Sequence, residues 1–98
     1  MAEFARVNAV EYLRARTLRV TFTDGLVREL DFAGKLPGVL ALIDNDVTFP
    51  EAAVDSVAGT VSWPNGIDLD PDVLHGEPAA SSAVQPRIER EYRLQQTA

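Results

Sequence analysis

The chain has 98 residues, of which 46% are hydrophobic and 24% charged, with a formal net charge of −6 and no cysteine. That length allows one small domain burying somewhat over ~60% of its unfolded surface, and the composition is globular rather than disordered or collagenous. Disulfide frameworks, thiolate metal sites and cysteine nucleophiles are excluded, and the longest nearly apolar run, LPGVLALI, falls far short of the ~20 residues that cross a bilayer.

The opening MAEFARVNAVEYL carries charges where a secretory signal needs an unbroken apolar region, so a cytoplasmic chain is expected. Its second half admits a strand or a short helix, and Val7, Val10 and Tyr12 ahead of a hairpin favour the strand. In TLRVTFTDG, Leu18, Val20 and Phe22 alternate with Arg19, Thr21 and Thr23, the period of a half-buried strand. Asp24-Gly25 then suits a tight hairpin, because glycine adopts positive φ without steric cost. Leu26, Arg28, Leu30 and Phe32 share one face of the returning strand and Val27, Glu29 and Asp31 the other. Arg28 is the residue out of pattern.

The period changes after Lys35. Leu36, Val39, Leu40 and Ile43 stand at i, i+3, i+4 and i+7, with Pro37 at the start and Asp44-Asn45 at the end, which predicts a short amphipathic helix on one face of the sheet. Phe49, Val54 and Val57 predict a strand closed by Ala58-Gly59, and TVSW at 60–63 resumes alternation with Val61 and Trp63 inward. EPAASSAVQP at 77–86 has no periodic apolar face and reads as a linker. RIEREYRLQQ is made of good helix formers, with Ile88 and Tyr92 four apart and Glu89 four before Arg93, so it predicts a marginal helix that needs a surface. The expected fold is α+β: a small, mainly antiparallel sheet with one short helix packed on it, plus a C-terminal helical or disordered arm. The expected divisions are a globular part at 1–76, the linker at 77–86 and the arm at 87–98.

Charge is unevenly placed. Residues 37–78 hold eight acidic side chains and no Lys or Arg, whereas the flanking segments are close to neutral. Phosphate backbones need clustered cations that displace counterions, so this middle disfavours nucleic acid and suits a basic partner. Asp68, Asp70 and Asp72 occupy positions 1, 3 and 5 of a calcium loop, but position 6 is Val73 rather than glycine and position 12 is Ala79 rather than glutamate. They read instead as a solvated acidic turn in which Asp70 caps a short PDVL helical turn. His75 is the only histidine, no serine stands in a Gly-x-Ser-x-Gly elbow, and no phosphate-binding glycine loop is present. No catalytic, cofactor or metal residue is assigned, and a small hydrolytic or metal-dependent enzyme is the weakest reading. Arg14, Arg16, Arg19 and Arg28 could form a basic edge for phosphate, or simply solvate strands. Ile88, Arg90, Tyr92 and Arg93 in the arm are the partner-binding candidates, against the alternative that the arm docks on its own domain or on a second copy.

VTFTDG, VRELDF, GVLALIDNDVTF and above all GTVSWPNGIDLDPDVLH, in this order, make residues 7–75 resemble the bacterial family called domain of unknown function 2442. The resemblance implies a compact α+β domain with a mainly antiparallel sheet. It transfers Asp24, Gly25, Trp63, Pro64, Gly66, Asp68, Pro71 and Leu74 as structural signature and no residue as catalytic. It also implies an antitoxin-like or accessory role beside a neighbouring gene product. The expected function is therefore a non-enzymatic protein-binding module, with a nucleic-acid-binding regulator as the alternative. The expected partner is a protein or a second copy of the chain, and neither a membrane nor a cofactor is expected.

Overall fold

In a computed structural model, which describes residues 6–69, 74–75 and 86–94, the chain forms a four-stranded antiparallel sheet and a separate hairpin. The large sheet has the order β1-β2-β3-β6, from β1 (Val7–Arg14), β2 (Thr17–Phe22), β3 (Leu26–Asp31) and β6 (Arg87–Arg93). The hairpin pairs β4 (Ala53–Asp55) with β5 (Thr60–Ser62).

The alternation predicted for β2 and β3 is observed, with Leu18, Val20, Phe22, Leu26, Leu30 and Phe32 all buried on one face. Asp24-Gly25 turns the hairpin: Gly25 has φ 89 and donates its N–H to the Phe22 carbonyl at 3.0 Å. Asp24 Oδ1 accepts the Leu26 N–H at 3.0 Å, the local bond that suits Asp to such a corner. β1 is a strand, as Val7, Val10 and Tyr12 suggested. It turns into β2 through Ala15, whose φ of 46 is reached without the usual glycine, and this tight corner left no signal in the sequence.

The predicted helix after Lys35 is a correction. Gly38–Ile43 winds as a 3-10 helix, held by bonds such as Leu40 N–H to the Pro37 carbonyl at 3.1 Å and Asp44 N–H to the Ala41 carbonyl at 3.1 Å. Gly38 begins the run at φ 62, left-handed backbone that cannot start an α-turn. With three residues per turn, Leu40 and Ile43 stack inward while Val39 and Leu42 face solvent at 65% and 59% exposure. Val39 is thus on the wrong side for the predicted stripe. Phe49 lies in a second 3-10 turn, Phe49–Glu51, and not in a strand, and Val57 is exposed in the loop that follows β4. The arm is the largest correction: Arg87–Arg93 is a strand and not a helix.

One face of the large sheet carries the core. Ile43, Phe49, Val61, Trp63, Leu69 and Leu74 from the 3-10 segments, β5 and the closing stretch pack on Leu18, Val20, Phe22, Leu30 and Phe32. Each such side chain, once buried, contributes roughly 1.5–3 kcal/mol. The opposite face carries Glu11, Arg19, Glu29 and Asp31 together with Thr17, Thr21 and, next to β6, Val27.

Candidate functional site

β6 is added to the edge of β3, and three cross-strand positions pair opposite charges: Asp31 with Arg87, Glu29 with Arg90 and Arg28 with Glu91. Asp31 Oδ2 accepts from Arg87 Nη2 at 3.0 Å, and Arg90 Nη1 approaches Glu29 Oε2 to 3.7 Å. Arg28 Nε lies 2.7 Å from Glu91 Oε1, but the N–H does not point at the oxygen and makes no hydrogen bond. The contact is an ion pair by proximity. It explains Arg28: a cation on the core-facing row of β3 is tolerated because the arm brings an anion to it.

The register between β3 and β6 slips by one residue between the Glu29–Arg90 and Leu30–Ile88 pairs. This bulge at Glu89 turns Ile88 and Tyr92 to opposite faces of the sheet. Ile88 lies opposite Leu30 on the core side and stays 47% exposed, whereas half-buried Tyr92 lies opposite Val27, which is 1% exposed. Arg90 Cζ sits 4.9 Å from the Tyr92 ring centre, a favourable cation–π placement. Of the four arm residues singled out from sequence, Arg90 and Tyr92 are engaged on the polar face of the sheet. Arg93 donates from Nη1 to the Asp24 carbonyl at 3.1 Å. Ile88 is the apolar one left half open to solvent, at 47% exposure.

A row of alternating charge crosses all four strands, because Glu11, Arg19, Glu29 and Arg90 stand opposite one another in register. Arg19 donates from Nη1 to Glu11 at 2.7 Å and from Nε and Nη2 to Glu29 Oε2 at 3.2 and 3.1 Å. The bond to Glu29 first, then that to Glu11, raises the Arg19 pKa above its ordinary value and keeps it charged. Sequence inspection missed this row. Its members come from four separate segments, and only the register shows them to be neighbours. The other arginines are similarly engaged: Arg14 with Glu89 at 3.0 Å, and Arg16 with Asp44 at 2.8 Å and Asp46 at 2.9 Å.

The signature residues cluster in the closing stretch and at the hairpin tip. Gly66 donates its N–H to the Trp63 carbonyl at 3.0 Å, so Pro64 and Asn65 are the central residues of a β-turn. Trp63 Nε1 donates to the Phe49 carbonyl at 3.0 Å. Thr60 Oγ1 donates to the Leu69 carbonyl. Leu69 points into the core, while Asp68 is exposed and bridges to Ser62. Asp70, Pro71 and Asp72 lie outside the described residues. Among the described residues no group of three or more His, Asp or Glu is placed to hold a metal ion. No described helix is long and apolar enough to cross a membrane.

Asp24 joins three segments. Its Oδ1 holds the turn, its Oδ2 lies 2.8 Å from His75 Nε2, and Arg93 Nη1 stands 3.8 Å from the same oxygen. The His75 ring also packs edge-on to Phe22, with centres 4.8 Å apart. Burial alone would raise the Asp24 pKa, but the Leu26 N–H, His75 and Arg93 together lower it below its ordinary value. A lowered folded-state pKa stabilises fully above the unfolded-state value, and that stability is lost as pH falls through the folded value. Thermal melts should therefore show Asp24→Asn a few degrees below the parent at pH 7, with the gap closing below about pH 4. A gap unchanged down to pH 2 would contradict this role for the carboxylate.

A family model described as Protein of unknown function (DUF2442) matches residues 7–77. β6 lies outside the match, and the β3 edge that receives it lies within. No curated protein and no solved structure matches the chain.

Proposed function

The chain belongs to the DUF2442 family of proteins of unknown function, and from that premise we propose that it is a non-enzymatic protein-binding module working through the outer edge of β6. The observation that carries this reading is that β6 ends the sheet order, so that among the described residues its outer backbone edge is unpaired. Such an edge is a template for strand addition, in which main-chain bonds give affinity and side chains give specificity. Ile88 and Leu94 are 47% and 53% exposed there, and the side chains of Arg87, Arg90 and Arg93 are 60–71% exposed. The partner that fits is an extended segment with acidic residues interspersed among apolar ones, belonging to an accessory or toxin-like protein encoded nearby. The nucleic-acid reading has less support, since Arg14, Arg16, Arg19 and Arg28 all face carboxylates of the same chain.

Co-expression with the product of the neighbouring gene tests the proposal. The full chain should capture it, and a chain ending at Gly76 should lose at least about tenfold in affinity, or about 1.4 kcal/mol. Equal capture by both would remove the arm from the function.

A further inference from the structure

The inner side of β6 carries a separate inference. Within the sheet β6 pairs with β3 alone, and it is held largely by polar groups. These are the three registered charge pairs, Arg14 to Glu89, Arg93 to the Asp24 carbonyl and Leu94 N–H to the Gly25 carbonyl at 2.8 Å. Its apolar contribution is small, because Tyr92 is half-buried while Ile88 and Leu94 remain open to solvent. An element attached in this way opens at lower free energy than the core strands β1–β3, and salt screens its exposed pairs.

We infer that the edge of β3 is a strand-accepting slot and that two copies of the chain fill each other's slots by exchanging β6. Among the described residues, every bond that holds β6 links it to the body formed by β1–β3 and their turns, so the slot is indifferent to which chain supplies the strand. The slot is also selective. Arg28, Glu29 and Asp31 require Glu, Arg and Arg at matching positions, with one extra residue at Glu89 between the last two. Residues 87–93 satisfy that order, and a second copy brings the same residues. Ten residues of sequence, 76–85, separate His75 from Pro86 and set an upper bound of roughly 33 Å on the distance between them. Exchange of an identical element is a low-cost route to a dimer, since native contacts are re-formed rather than invented. An empty slot would also leave the Arg28 guanidinium without the anion that faces it.

Charge reversal of full-length chains tests the exchange. One chain carries R28E and D31R in the slot, and the other carries R87D and E91R on the strand. Each alone sets like charges opposite one another and should be a monomer with β6 undocked, seen as amide exchange in residues 87–93 at least tenfold faster than in the parent. Mixed one to one, the reversed slot meets the reversed strand and the native slot meets the native strand. The expected product is a heterodimer of twice the 10.7 kDa chain mass by light scattering. The chain with all four reversals, whose pairs are restored within one molecule, should be folded and should not join either chain. Monomers alone in the mixture, with the fourfold variant folded, would overturn the inference. If the fourfold variant does not fold, the parent decides. Concentrated in 1 M NaCl and returned to low salt, it should contain a dimer that persists on dilution, and monomer throughout would overturn the inference. Loss of partner capture with exchange intact would count against the outer-edge proposal alone.

Discussion

Phe49→Ala is expected to lower the stability of the domain by about 3–5 kcal/mol, the range for removing a buried aromatic ring and leaving its cavity. Phe49 is fully buried, and its ring meets Tyr12, Phe32 and Trp63 at centre distances of 6.2, 6.0 and 5.8 Å. Arg16 Cζ lies 5.7 Å from the same ring, so the substitution also removes the aromatic support beneath an arginine already committed to Asp44 and Asp46. Trp63 Nε1 bonds to the Phe49 backbone carbonyl, a contact that the substitution keeps chemically but loosens geometrically. A domain of this size holds only about 5–15 kcal/mol in total. Urea unfolding should show a much lower midpoint with an unchanged slope, and Phe49→Leu should recover a large part of the loss. A loss below about 1 kcal/mol would mean that the aromatic cluster is not the centre of the core.

The residues that sequence placed correctly are those whose neighbours are local. The alternation of Leu18, Val20 and Phe22 and the Asp24-Gly25 corner each depend on residues close in the chain, and each stands as predicted. The arm did not, for two physical reasons. Glu, Arg and Gln favour helix locally, yet the β3 edge offers registered opposite charges and a ladder of backbone bonds, and tertiary context outweighs propensity. The bulge at Glu89 also inverts the parity of the strand. In a regular strand Ile88 and Tyr92 would share a face, and here they do not. No period of two therefore marks the segment.

Arg28 was nevertheless a legible signal. An arginine in a core-facing row implies an anion brought from elsewhere, and Glu91 is that anion. The charge row from Glu11 to Arg90 left no comparable mark, because each member is an ordinary exposed-type residue in its own segment. The 3-10 segment falls between these cases: its apolar residues were right, and its period was not. Gly38 at φ 62 set the winding that decided which of them face inward.

Leu74→Ala is the second substitution expected to act strongly, at about 2–5 kcal/mol. Leu74 is fully buried in the core, although the stretch before it is the acidic, proline-bearing segment that invited a metal reading. Its burial fixes the neighbouring His75 ring against Phe22 and beside the Asp24 carboxylate. Asp24 in turn receives Arg93 from β6. Loss of the Leu74 side chain should therefore do two things that a surface substitution would not. Global stability should fall by the cavity cost, and the hairpin tip should lose its lateral support, so that amides near Leu26 and Leu94 exchange faster than those in the middle of β2. His75→Ala separates the two effects, since it removes the ring and its contact with the Asp24 carboxylate while leaving Leu74 in place. It should cost less than Leu74→Ala, because the buried side chain that anchors the stretch stays in place, while still speeding exchange at the tip. If His75→Ala cost as much as Leu74→Ala, the closing stretch would be held by the His75–Asp24 contact and not by the buried leucine. The signature ending in Leu74 and His75 would then be a polar latch rather than an apolar anchor.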